Sequence, residues 1–247
     1  MPPVTVPTTG NQDFPVHRVY CVGRNYADHA IEMGHDPDRE PPFFFTKPAD
    51  AIVQDGATIP YPKATADLHH EVELVIALGS GGSDIPLEQA ADHIFGYAVG
   101  IDLTRRDLQK TAKDLSRPWD TAKAFDQSAP CGAIRPASEI GHPDTGHISL
   151  TINGETRQQG DIAAMIWQGP EIVPYLPTLF DLQAGDLIFT GTPAGVGPVN
   201  PGDQLYPELD RVGGLDPTIA SLLTHASFDQ TDQLNPYLHS LSRPAPR

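Results

Sequence analysis

The chain has 247 residues, enough for one large domain or two small ones, and carries a formal charge of −16. That charge argues against non-specific binding to nucleic acid or an anionic membrane surface, and no apolar run approaches the ~20 residues that a membrane span needs. Two cysteines, Cys21 and Cys131, are too few for a disulfide framework, and the start of the chain lacks both the basic and the apolar part of a signal peptide, so the expected compartment is the reducing cytoplasm.

Residues 1–17 are rich in Pro and Thr and read as an extended lead-in. Residues 19–23 form a short apolar strand, followed by a helical stretch over 27–33. His29 and Glu32 fall at i and i+3 there, neighbours on one helix face. A carboxylate beside an imidazole fixes its tautomer and raises its basicity, which suits a general base, although an ordinary surface pair has the same spacing. Residues 34–42 are polar and Pro-rich and read as a flexible loop able to act as a lid. Residues 43–48 form a strand that ends at Lys47.

Residues 69–78 carry the chemistry. From Val72 onward they read as a buried strand, closed by the Gly-Ser-Gly-Gly turn at 79–82. Side chains alternate along a strand, so Glu71 and Glu73 point one way while Val72 and Leu74 point the other. Two carboxylates on one face, about 7 Å apart by strand rise, repel each other unless something positive lies between them. The residues alone leave two readings open: the solvent face of an edge strand, or a divalent cation. His69 shares their parity and could be a third ligand or a hydrogen-bonding neighbour of one.

Residues 86–94 read as a helix and 95–101 as a buried strand that delivers Asp102 at its end, either as a helix N-cap or as a site residue. The helix expected over 104–115 places Arg106, Gln109, Lys110 and Lys113 along one side. A loop over 117–126 carries the isolated Lys123. Residues 147–158 read as a hairpin turning at Asn153-Gly154. Residues 162–167 and 172–180 look helical, with Gly169-Pro170 between them, and a strand over 187–190 opens into the glycine-rich stretch 191–198. That stretch lacks Gly-Lys-Ser/Thr, so it suits backbone amides approaching a carboxylate better than a phosphate loop. No internal repeat and no linker separates two cores, so residues 1–247 read as one catalytic domain.

Taken together, these pieces resemble the fumarylacetoacetate hydrolase family, in its single-domain acylpyruvase branch. The resemblance is carried by Cys-Val-Gly-Arg-Asn-Tyr-Ala-Asp-His at 21–29, Lys47-Pro48, His-His-Glu-Val-Glu-Leu at 69–74, Gly-Tyr-Ala-Val-Gly-Ile-Asp-Leu-Thr-Arg-Arg-Asp at 96–107, Pro118 to Lys123, Asn153-Gly154 and Gly-Asp-Leu-Ile-Phe-Thr-Gly-Thr-Pro-Ala-Gly-Val-Gly-Pro at 185–198. It covers about 18 to 215. The insert at 34–45 is similar to that of the fumarylpyruvate hydrolases of gentisate-type aromatic degradation. The tail at 216–247 departs from the family's compact ending.

The resemblance implies an α+β, mixed-β roll with short flanking helices, assembled as a homodimer. It implies a divalent metal on Glu71, Glu73 and Asp102. An all-oxygen set suits a hard cation, Mg²⁺ first, with Mn²⁺ or Ca²⁺ as alternatives. Acting on an acylpyruvate, the metal would serve as Lewis acid, His29 with Glu32 as general base, and Lys123 as oxyanion donor. Arg106 and Gln109, with the backbone amides near Gly191 and Thr192, would hold the substrate's carboxylate and keto oxygens. Arg24, Lys47 and Arg39 are candidates for the second carboxylate of a fumaryl group. The expected activity is hydrolysis of the C–C bond of an acylpyruvate, fumarylpyruvate to fumarate and pyruvate. A decarboxylase or isomerase acting on oxo-diacids at the same site is the alternative, and a non-catalytic carboxylate-binding protein a third reading.

Overall fold

A computed structural model describes residues 3–10, 12–32 and 40–221. Val72–Leu78 is buried at every position because it lies inside a six-stranded sheet, not at its edge. The strands run in the order Arg135–Pro136, Ile94–Ile101, Val72–Leu78, Leu187–Phe189, Val19–Gly23, Phe43–Lys47. All neighbours are antiparallel except Leu187–Phe189 and Val19–Gly23.

Alternation along the central strands divides the interior into two cores. Leu74, Ile76 and Leu78 pack with Tyr97, Val99 and Ile101 against Ile148, Leu150, Leu205 and Leu209. Those last four come from a four-stranded sheet ordered Glu155–Asp161, His147–Ile152, Leu205–Leu209, Gly213–Gly214. Val75 and Ala77 pack on the other side with Val19, Cys21, Ala98 and Phe189, under Val6 and Phe14. Glu73 shares the parity of Val75 and Ala77, so it faces this second core from one end. Gly100 pairs with Glu73, and a Cβ there would lie 2.5 Å from the Phe189 ring. Glycine is what lets the sheet close at the level of the glutamates.

The α+β class expected from the sequence is found, with short helices around mixed sheets. Several local expectations are corrected. The lead-in folds back on itself as the antiparallel pair Thr5–Pro7 and Asp13–Pro15. Residues 86–94 form a 3-10 helix, Leu87–His93, behind Pro86. The helix after Asp102 runs Arg106–Asp114, because Thr104–Arg105 first pairs with Leu68–His70. The loop carrying Lys123 contains the single helical turn Asp120–Lys123. The two helices expected over 162–180 are replaced by Ile162–Ala164, Gly169–Ile172 and Leu176–Thr178. Gly169-Pro170, expected as the break, starts the middle turn instead: Pro is tolerated in the first helical turn, where its missing N–H would have no partner, and Gln168 with Glu171 forms a capping box.

Asn153 and Gly154 both have positive φ, 52° and 83°, as a two-residue hairpin turn requires. Thr218–Ile219 pairs with Thr58–Ile59, while the rest of the tail, 222–247, and most of the expected lid, 33–39 with Arg39, lie outside the described residues. Among the described residues no helix is long and apolar enough to cross a membrane.

Candidate functional site

Three strand ends come together beside one cavity, which Glu71 and Gly191 line and Asp102 does not. Glu71 immediately precedes the central strand, Asp102 follows Ile94–Ile101, and Gly191 follows Leu187–Phe189. Glu71, Glu73 and Asp102 each bring a carboxylate oxygen within 4.8 Å of the others, and all three are buried. Glu73 is 2 % and Asp102 0 % exposed, so neither can rely on water for solvation.

Three cations brace this cluster. Lys123 Nζ donates to Glu71 Oε2 at 2.7 Å and to Asp102 Oδ2 at 2.5 Å. Arg106 Nη2 donates to Glu71 Oε1 at 2.6 Å. Lys47 Nζ lies 2.8 Å from Asp102 Oδ1 and donates to the carbonyl oxygens of Leu103 and Lys123. Burial tends to raise the Glu71 carboxyl, but Lys123 and Arg106 outweigh it and hold the group well below the usual carboxylate range. Burial also tends to lower the Lys123 ammonium, and Asp102 with Glu71 outweighs it, so the amine stays charged.

Glu73 differs. Its one hydrogen bond among the described residues is accepted from the Gly191 amide, at 2.8 Å to Oε2. Burial, then Asp102 and Glu71, push its carboxyl well above the ordinary value. A buried carboxylate facing two others, without an ammonium of its own, is the condition that a divalent cation relieves. The donor set also fits one, since three buried carboxylates with no thiolate or imidazole suit a hard, oxygen-liganded ion.

His29 lies in the short helix Ala27–Glu32 and lines the same cavity. Its Nδ1 is 3.2 Å from Glu32 Oε2, and Glu32 in turn accepts from the Gly195 amide at 3.1 Å. If Nδ1 donates to the carboxylate, the other ring nitrogen is left as the base. Arg24, Gln109 and Thr192 line the cavity too. Gln109 Oε1 accepts from Arg106, which leaves its amide hydrogens for a ligand.

Two expected contacts are placed elsewhere. Lys47 lies behind Asp102 with its side chain wholly buried, clamped on carbonyl oxygens and outside the cavity lining, so it does not reach a second substrate carboxylate. The Gly191 amide, expected at a substrate carboxylate, is taken by Glu73. Lys123, expected at the oxyanion, lines the cavity but spends two of its three donors on Glu71 and Asp102. His69 has both ring nitrogens engaged: its Nδ1 accepts from Arg106 at 3.3 Å and its Nε2 meets Asp67 at 2.9 Å, so it steadies the arginine that holds Glu71.

Three residues given no role from the sequence complete the frame. Gln158, on the outer hairpin strand, accepts from Val72 N at 3.1 Å and from His70 Nδ1 at 2.8 Å. It donates to Thr192 Oγ1 at 2.8 Å and to Pro193 O at 2.9 Å. The one amide therefore ties the glutamate strand to the glycine-rich loop and leaves the Thr192 hydroxyl free to donate into the cavity. Burial lowers His70 to about 4, so it serves as a neutral donor at physiological pH. Asn25 bridges the Thr190 and Trp167 carbonyls, and Gly191 (φ 98°) has room beside it only because it lacks a Cβ, which would lie 2.8 Å from Asn25 Cβ.

Comparison with known proteins places this arrangement. The family described as fumarylacetoacetate (FAA) hydrolase C-terminal matches residues 18–220. A fumarylpyruvate hydrolase of Ralstonia sp is 41 % identical over 189 residues, 76 % of this chain and 98 % of that protein. An oxaloacetate tautomerase of Escherichia coli (strain K12) is 42 % identical over 199 residues, 80 % of this chain and 90 % of that one. The crystal structure of fumarylpyruvate hydrolase from Pseudomonas aeruginosa in complex with Mn²⁺ and pyruvate superposes with a TM-score of 0.87 at 53 % identity, covering 90 % of this chain and 97 % of that one.

Proposed function

This chain belongs to the fumarylacetoacetate hydrolase family, and on that premise we propose that it is a metal-dependent hydrolase that cleaves the C–C bond of an acylpyruvate, fumarylpyruvate to fumarate and pyruvate. The observation that carries the proposal is that Glu71, Glu73 and His29 line one cavity, with Asp102 completing the buried carboxylate cluster and Glu32 bonded to His29. A binding protein needs the first set; hydrolysis needs both. The relatives named fumarylpyruvate hydrolase support the same reading, as does the pyruvate and Mn²⁺ bound by the Pseudomonas aeruginosa protein.

A divalent cation on Glu71, Glu73 and Asp102, Mg²⁺ or Mn²⁺, would supply Lewis-acid polarisation at the oxo-acid end of the substrate. Around it, each residue has a task that its position allows. Arg106, Gln109 and the Thr192 hydroxyl hold the carboxylate and keto oxygens of the pyruvyl end. His29 takes a proton from the water that attacks the distant carbonyl, with its tautomer fixed by Glu32. The third Lys123 hydrogen donates to the oxyanion formed there. When the C–C bond breaks, His29 passes the proton it took from water to the departing pyruvate enolate.

A second reading, tautomerisation or decarboxylation of oxaloacetate, is favoured by the relatives named for those activities. Decarboxylation needs the carboxylate cluster and no attacking water, so the His29–Glu32 pair favours hydrolysis over it; tautomerisation moves a proton and would use the same pair. We place the activity in a single domain spanning 1–247, working as a cytoplasmic homodimer in gentisate-type aromatic catabolism. Replacing His29 by Ala tests the assignment. Acylpyruvate cleavage should fall far more than any oxaloacetate decarboxylation; a parallel fall would leave His29 a binding or closure role and remove the argument for hydrolysis.

A further inference from the structure

The acidic residues outnumber Lys and Arg by 32 to 16, so a basic side chain has carboxylates to choose from. Arg24 and Lys113 nevertheless form no ion pair among the described residues, and both line the cavity. Each is held over an aromatic face instead. The Arg24 guanidinium sits 5.3 Å from the Phe43 ring centroid, and Lys113 Nζ 5.2 Å from that of Trp119. Phe43 and Trp119 meet edge to face at 5.6 Å, so the two cations share one aromatic wall.

The wall is built at a cost. Arg24 has φ 57°, a backbone region that a side chain rarely adopts, and Gly23 next to it makes room for Phe43, whose ring would lie 2.0 Å from a Cβ at that glycine. Burial, then Arg106 and Arg24, also push the Lys113 ammonium below its ordinary value. Cation–π contact fixes where a positive charge stands without neutralising it. Positive charges concentrated beside a cavity, held in place and left unpaired among the described residues, are suited to an anionic ligand group.

Resting on the hydrolase reading above, we propose that Arg24 and Lys113, seated on Phe43 and Trp119, form a distal carboxylate subsite that selects acylpyruvates whose acyl end is itself anionic. The pyruvyl carboxylate belongs to Arg106, Gln109 and Thr192; the second carboxylate of a fumaryl-type substrate belongs here, in place of the Lys47 contact that burial rules out. Substrates ending in a neutral acyl group, such as acetylpyruvate, leave the subsite unused.

The test compares kcat/KM for fumarylpyruvate and acetylpyruvate in wild type, Arg24→Gln, Lys113→Met and Lys113→Arg. Met keeps the aliphatic stem over Trp119 and removes only the charge. The ratio of fumarylpyruvate to acetylpyruvate should fall about tenfold to a hundredfold in Arg24→Gln and Lys113→Met, the span of one hydrogen bond to a charged group, and be retained in Lys113→Arg. A ratio unchanged in both charge-removing variants overturns the proposal. A second readout is calorimetric titration of fumarate into the protein saturated with Mn²⁺ and pyruvate, where pyruvate fills the oxo-acid end. Fumarate binding should weaken in Arg24→Gln and Lys113→Met alike, and equal affinity in all variants overturns the subsite. Should the wild type cleave neither acylpyruvate, the hydrolase reading fails, and the fumarate titration still decides the subsite.

Discussion

Glu73→Gln should stabilise the metal-free protein while destroying its metal site. Glu73 is 2 % exposed, lies among carboxylate oxygens within 4.8 Å, and has one backbone donor, the Gly191 amide. Gln keeps the acceptor for Gly191 and can donate to a neighbouring carboxylate, so the exchange removes charge without removing a hydrogen bond. Burial with Asp102 and Glu71 nearby raises the folded-state carboxyl well above its ordinary 4.5. Such a group favours folding below its unfolded value, and that contribution is lost as pH rises through the folded one. Near neutral pH the wild type therefore carries a penalty that the variant lacks, and below about 4.5 the difference closes. A desolvated charge of this kind is worth about 1–3 kcal/mol, or roughly 3–10 °C in Tm for a chain of this size. Calorimetry after EDTA treatment, at pH 7.5 and at pH 4.5, should show the variant melting higher at pH 7.5 and the gap shrinking at pH 4.5. Adding Mn²⁺ should reverse the order at pH 7.5, because only the wild type gains stability from binding. A metal-free variant that melts below the wild type at pH 7.5, or that gains as much from Mn²⁺, would refute the reasoning.

His29→Ala should lower acylpyruvate cleavage by about 10²–10⁴-fold, the usual worth of a general base, with pyruvate affinity in the Mn²⁺ form little changed; steady-state kinetics and calorimetry measure the two. Lys47→Met should cost about 3–5 kcal/mol of folding stability in urea denaturation, because it leaves Asp102 charged, buried and short of a partner. Its effect should not discriminate between fumarylpyruvate and acetylpyruvate, since Lys47 lies outside the cavity lining. Gln158→Leu should lose roughly 2–4 kcal/mol by leaving the Val72 amide and His70 without their acceptor. It should also raise KM through the loosened Thr192, an effect that Gln158→Glu would share only in part.

The parts of the fold and site legible in the sequence were those set by periodicity. Glu71, Val72 and Glu73 alternate, and strand geometry alone puts the carboxylates on one face; the apolar run to Leu78 marks a strand covered on both sides. Asn153-Gly154 announces its turn because both residues tolerate positive φ. Apolar residues over 162–180 suggest helices, but the prolines at 170, 174 and 177 restrict the chain to short turns. Lys47 was misplaced for a different reason. A lysine at a strand end next to a predicted site looks like a ligand contact, and only the three-dimensional register shows it behind Asp102. Gln158 carried no signal at all: it lies on a strand of polar residues, and its role comes from partners 86 to 88 residues earlier and 34 to 35 later.

The central claim is tested most directly by following fumarylpyruvate with the purified protein, with oxaloacetate run in parallel, before EDTA treatment, after it, and after Mn²⁺ or Mg²⁺ is restored. Fumarylpyruvate should disappear with fumarate and pyruvate formed in equal amounts, the reaction should stop on chelation, and the restored metal should bring it back. Turnover of oxaloacetate with fumarylpyruvate untouched, or cleavage that persists in protein shown to be free of metal, would contradict the account.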